Sequence, residues 1–151
     1  MKSAFKAAFV AAMLAMELAQ ADVGREEMLA QAVSQFAAGL EAEWKRCLRN
    51  PHTRTTNDSE RCALAMLQAA NRAVKQKYQQ KLDRIQQDAE AEILPRAVPA
   101  MLPKAQAEWE QYVEADCAVV AGLITGTAST GYQLVCEYRH QIQRLHALDA
   151  W

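Results

Sequence analysis

The sequence lacks any apolar run long enough to cross a bilayer, which takes roughly 20 residues. Its clearest uncharged apolar stretch, AAFVAAMLAM, covers only residues 7 to 16. It lacks a surplus of either charge, because 17 Lys and Arg stand against 18 Asp and Glu, a net of −1. That near-balance gives no electrostatic case for nucleic acid or an anionic membrane as partner. No C-x-x-C, H-E-x-x-H, G-x-S-x-G or glycine-rich phosphate loop occurs. β-branched residues are few and no alternating apolar run stands out, so no strand is announced and the expected fold class is all-α.

What the chain does have, at its start, is the pattern of an export leader. Lys2 and Lys6 form a basic region, residues 7 to 16 an apolar one, and Ala19-Gln20-Ala21 a small-x-small cleavage pattern. The expectation is a cleavable secretory signal over 1–21 and a mature domain over 22–151, periplasmic or secreted, with no membrane insertion after cleavage. No Cys stands at the cleavage position to take a lipid. Without Lys2, Lys6 and Glu17 the balance becomes 15 basic against 17 acidic residues, about −2. The remaining 130 residues suffice for one domain with its own core.

Helical periodicity runs through that domain. Met28, Leu29, Ala32, Val33, Phe36, Leu40 and Trp44 recur at threes and fours over 22–49, and Asn50-Pro51 ends that helix. PHTRTTNDS is a polar turn, after which Asp58 or Ser59 is expected to cap a second helix over 59–93. Leu64, Leu67, Val74, Tyr78, Leu82 and Ile85 mark the apolar side of that helix, which contains no Gly or Pro. Pro95, Pro99 and Pro103 form a hinge, and Pro103 is read as the lead-in to a third helix over 104–124. TGTASTG (125–131) is a small-residue loop before a fourth helix ending near 148.

Four cysteines in an exported chain point to disulfides, with three possible pairings. Cys47 and Cys62 straddle the polar turn; Cys117 and Cys136 straddle TGTASTG. Antiparallel helices bring residues equidistant from a turn side by side, so the expected bridges are Cys47–Cys62 and Cys117–Cys136. The expected architecture is therefore two antiparallel helical hairpins, each stapled, joined by the proline-rich hinge.

Chemistry has little to stand on. The four thiols are committed to bridges, so no nucleophilic cysteine is expected. His52 lies in a turn, and His140 and His146 are six apart on the last helix, too far round to share a metal. A catalytic role would need one of those two beside buried carboxylates. The expectation is no enzyme, no metal and no cofactor. The stretch AQAEWEQYVEADC (105–117) places Trp109 and Tyr112 on a helical stripe leading to Cys117, and both are expected to face the partner helix. Glu108, Glu110, Glu114 and Asp116 are left for an acidic outer side.

These residues resemble the LprI-like lysozyme-inhibitor domain family. Its signature helix reads AQ-x-x-W-x-x-Y-R-D-x-x-C, and Ala105, Gln106, Trp109, Tyr112 and Cys117 match it. A small-residue loop, then Cys136, Arg144 and Leu148, match the closing helix; Cys62, Ala63 and Tyr78 match the earlier half. The resemblance covers about 47 to 148. Val113, Glu114, Gln141, Asn71 and Lys75 stand where the family has Arg, Asp, Thr, Asp and Asn. The resemblance implies an exported, disulfide-stapled all-α domain whose partner is a protein, with lysozyme or another peptidoglycan hydrolase as the candidate. Gln106, Trp109, Tyr112, Tyr78 and Arg144 are read as structural, while His52, Arg54, Thr127 and Ser129 on the two turns are the candidate partner-binding residues. An alternative with the same scaffold is an envelope-stress or immunity protein with a non-lysozyme partner. No oligomeric state is implied.

Overall fold

The structure, a computed structural model, describes the backbone of residues 2–150 and the side chains of residues 24, 25 and 27–150. Four helices follow in chain order: α1 (Lys2–Leu48), α2 (Thr56–Glu90), α3 (Val98–Gly122) and α4 (Ser129–Asp149). Among the described residues there is no strand. The all-α, four-helix reading holds. The leader expected over 1–21 lies outside the residues whose side chains are described; the α1 backbone continues through it to Lys2 rather than starting near 22. Alanine dominates that stretch and favours helix without any cap.

Two helix starts differ from expectation. The N-cap of α2 is Thr55, not Asp58 or Ser59. The Thr55 hydroxyl accepts the Asp58 backbone N–H at 3.1 Å, and the Asp58 carboxylate accepts the Thr55 N–H at 3.0 Å, a reciprocal capping box. Asp58 thus acts one turn inside the helix it was expected to cap. The start of α3 is Val98, with Pro99 in its first turn and Pro103 inside the helix. Proline is tolerated in a first turn, where the missing N–H has no intrahelical acceptor. The proline hinge therefore shrinks to the short connection at 91–97.

Both expected bridges are present, with Cα–Cα distances of 5.8 Å for Cys47–Cys62 and 5.6 Å for Cys117–Cys136, and no cysteine is free. Each staples a hairpin. The largest helix contact is between α2 and α4, whereas α1 and α3 do not meet among the described residues. The second and fourth helices are thus the middle of the molecule, and α1 and α3 flank them.

The core is built almost wholly from three helices. Val33, Val74, Leu145 and Leu148 form one buried cluster, with Tyr78 and Ile142 against it. Met66, Leu67, Ala70 and Tyr138 form another, flanked by Leu40, Trp44 and the same Ile142. The Tyr138 hydroxyl donates to the Ala37 carbonyl at 3.2 Å, tying α4 to α1. Burial, reinforced by the Glu41 carboxylate, pushes the pKa of Tyr138 up to about 12. Neither cluster contains a residue of α3, whose buried side chains are Leu102, Val113 and Cys117. The third helix is attached by other means.

Candidate functional site

Those means are a disulfide, a polar contact and two buried apolar side chains, Leu102 and Val113, and they start from the inward stripe of α3. Leu102, Gln106, Trp109, Val113 and Cys117 follow one another at fours and threes on that side. Arg144 of α4, only 7% exposed, donates from Nε to the Gln106 Oε1 at 3.0 Å, and its guanidinium lies 5.4 Å from the centre of the Trp109 ring. Desolvation lowers the Arg144 pKa, and the Glu110 carboxylate and Tyr78 act against that shift. Arg is suited to this position because a flat guanidinium can stack and donate at once. Gln106, Trp109 and Arg144, read from the sequence as structural, are brought together in one contact. Tyr78 packs against the first core cluster beside them.

Tyr112 does not share that position. Expected to face the partner helix, it meets α4 only through His140 and is otherwise 56% exposed, because the buried stripe passes through Val113 one residue on. Val113 is buried at 5%. The departure from the family's Arg at this position therefore lies in the packing of α3, out of reach of a partner. Tyr112 instead sets its ring edge against the His140 imidazole, at 5.5 Å and 87°.

His140 Nε2 lies 2.8 Å from Asp116 Oδ2. The His140 side chain is 12% exposed and that of Asp116 44%. A catalytic role needs the histidine beside buried carboxylates, and this one carboxylate is half open to water. Among the described residues no hydroxyl or thiol is hydrogen-bonded to the ring. The pair was findable from sequence: Asp116 adjoins Cys117, and His140 follows Cys136 by one helical turn, so the bridge itself brings the two together.

The turns of the two hairpins stand at the same end of the molecule, where Thr56 meets Thr127. In the first, the Asn50 side chain accepts the His52 N–H at 3.0 Å, and the Thr53 hydroxyl donates to the Cys47 carbonyl at 2.8 Å. Arg54 folds back to donate from Nε to the Pro51 carbonyl at 2.8 Å. The second turn relies on Gly126, whose φ of 88° only glycine adopts readily. Thr56 and Thr127 then meet across the hairpins, hydroxyl to hydroxyl, at 3.4 Å. Of the candidate partner-binding residues, His52, Arg54 and Thr127 are exposed, and Ser129 is half-buried as the first residue of α4.

Beside these turns a groove of about 740 Å³ opens between the hairpins. Trp44, Leu48, Ala63, Val120 and Val135 give it apolar walls, and Tyr132, Arg139 and His140 line it as well. The indole N–H of Trp44 is buried with no hydrogen-bond partner among the described residues. The sequence does not announce this groove, because its walls come from all four helices, most of them from α2 and α4. At another face of the bundle Arg25, Lys77, Lys81 and Arg84 surround a smaller pocket of about 250 Å³ with Asp149. Burial and the neighbouring Arg84 and Lys77 lower the Lys81 pKa there. No helix of the described residues is long and apolar enough to cross a membrane.

Residues 47–148 match the family model described as lysozyme inhibitor LprI, a span that includes all four cysteines, both turns and the Gln106–Trp109–Arg144 contact. No curated protein and no solved structure matches the chain.

Proposed function

The chain belongs to the LprI lysozyme-inhibitor family, and from that premise we propose that it is an exported inhibitor whose two stapled turns enter the cleft of a lysozyme or related peptidoglycan hydrolase. The leader-like N-terminus and the two bridges support export to the periplasm or beyond. No catalytic role is assigned to the chain itself.

One observation carries the reading: two short turns, each stapled just behind its ends, meet at one end of the molecule through Thr56 and Thr127. A protrusion already held in shape loses little conformational freedom on binding, so more of its contact energy appears as affinity. Muramidases hydrolyse glycosidic bonds with two carboxylates in a cleft. Blocking such a cleft requires a rigid wedge and a cation for the acids. Arg54 holds its Nε on its own turn, which leaves the guanidinium Nη atoms directed to a charge-assisted bond with a carboxylate. His52, Thr127 and Ser129 form the rim, and Tyr132, half-exposed at the groove, is the aromatic anchor.

The test is peptidoglycan hydrolysis by a c-type lysozyme with increasing amounts of the oxidised, leader-free protein. Saturable inhibition near equimolar protein, abolished by a dithiol, is the expected result. Arg54→Glu should weaken it by at least about tenfold, roughly 1.4 kcal/mol of binding. Undiminished hydrolysis at large excess, with the helical circular dichroism intact, discards lysozyme as the target.

A further inference from the structure

The bridge that holds α3 adjoins two further metal-binding side chains. We propose that opening the Cys117–Cys136 disulfide converts this place into a zinc site, with the Cys117 and Cys136 thiolates, His140 and Asp116 as ligands. The donor atoms of these four residues all lie within 4.8 Å of one another. Tetrahedral zinc holds sulfur at about 2.3 Å and nitrogen or oxygen at about 2.0–2.2 Å, which sets neighbouring donors roughly 3.3–3.8 Å apart. The cluster is therefore close to the required size before any backbone moves, with the two cysteine Cα atoms 5.6 Å apart. Cys136 and His140 are one turn apart on α4, and Asp116 adjoins Cys117 on α3, so each helix supplies two ligands.

The surroundings suit the ion. Two thiolates and an imidazole are the donor set that favours zinc over magnesium or calcium. Cys117 is fully buried and His140 nearly so, which limits competing water. The Tyr112 ring packs nearly perpendicular to the imidazole, 5.5 Å between centres. His140 Nε2 and Asp116 Oδ2 already share one proton at 2.8 Å, and the metal takes that proton's place. The other bridge has no such company: among the described residues this is the one group of its kind.

The reaction balances with a dithiol as reductant. The dithiol gives two electrons and two protons to the cystine and closes to its own cyclic disulfide, leaving two thiols. On zinc binding the two thiol protons pass to solvent, and the His140 proton moves to the other ring nitrogen. Cystine and zinc thus become alternative clamps for the same helix pair, one for oxidising and one for reducing conditions.

The exposed Cys47 makes the first bridge open to the same reductant. The test therefore uses the full chain carrying Cys47→Ser and Cys62→Ser, reduced, desalted without oxygen and titrated with Co²⁺, then back-titrated with Zn²⁺. One cobalt per chain with thiolate charge-transfer and tetrahedral ligand-field bands is expected, and none in the oxidised form. His140→Ala should weaken binding by more than about a hundredfold, beyond the roughly 10–100-fold that loss of an outer-shell partner costs. Absence of those bands, or a loss of only about a hundredfold or less in His140→Ala, overturns the proposal. Should reduction loosen the helices, recovery of helical circular dichroism on adding Zn²⁺ supports the site, and no recovery overturns it.

Discussion

The Asp58 carboxylate accepts from four donors. Its carboxylate takes the Thr55 hydroxyl at 2.7 Å and the backbone N–H groups of Thr55 and Arg54 at 3.0 and 3.1 Å, and it pairs with Arg61. The Thr55 hydroxyl first, then the two backbone donors, lower its pKa from 3.8 to about 2. The sign follows from the depressed value. Well above pH 3.8 the carboxylate is charged in both folded and unfolded chains, and its stabilising contribution is complete. As pH falls towards about 2 the unfolded chain takes up the proton first, and the contribution is lost. A carboxyl-carbon NMR titration should show Asp58 with a midpoint near 2, and a midpoint near 3.8 in the folded chain would refute the capping account. Thr55→Ala removes the strongest donor. It should move that midpoint upward and cost about 1 kcal/mol at neutral pH, read from the urea midpoint.

At the scale of the helix, the end of α2 shows a local cost. Ile93 N–H bonds to the Asp88 carbonyl at 2.8 Å and Glu92 N–H to that of Ala89 at 3.2 Å, a Schellman closure. That closure puts Glu92 at a φ of 58°, where glycine is unstrained and glutamate is not. Glu92→Gly should therefore stabilise the protein by up to about 1 kcal/mol, since the exposed ion pair it loses to Arg96 is worth little. A lowered urea midpoint would show the strain to be absent. Between α3 and α4, Arg144→Lys keeps the charge but loses the Nε donor and the flat face over Trp109. It should cost about 1–3 kcal/mol, more than an exposed Arg→Lys change, by the same measurement. Periodicity made the helices and both bridges legible in the sequence, because helix period and turn-centred pairing are local properties. It misplaced Tyr112 because Trp109-Tyr112 and Trp109-Val113 are equally helical spacings, and only the packing of α4 chooses between them. It mistook Pro103 for a helix start because a proline one turn into a helix looks the same in sequence as one before it. The meeting of Thr56 with Thr127, 71 residues apart, had no periodic signal at all.

For the molecule as a whole, the two bridges close loops of similar length, with separations of 15 and 19 residues. Chain entropy alone would make each worth about 3 kcal/mol. Their consequences should nevertheless differ, because the helices they join differ in what else holds them. The first hairpin contributes Val33, Leu40 and Trp44 from α1 and most of α2's apolar side to the two core clusters. Without Cys47–Cys62 that core still joins α1 to its neighbours, and the loss is shared by all residues through global unfolding. The third helix has no residue in either cluster; apart from its bridge it is held by Leu102, Val113, the Gln106–Trp109–Arg144 contact and the Asp116–His140 pair. Removing Cys117–Cys136 should open α3 on its own, below the global unfolding free energy. Native-state hydrogen exchange on Cys117→Ser/Cys136→Ser, in metal-free buffer, should show amides of 98–122 losing protection while those of α2 and α4 keep theirs. In Cys47→Ser/Cys62→Ser the decline should be uniform. Equal protection of α3 and α2 in the first variant would mean that packing, not the bridge, seats the third helix. Because the bridge also sits just behind the 123–128 turn, the same opening would loosen one half of the stapled end, and inhibition should fall in Cys117→Ser/Cys136→Ser before the bundle itself melts.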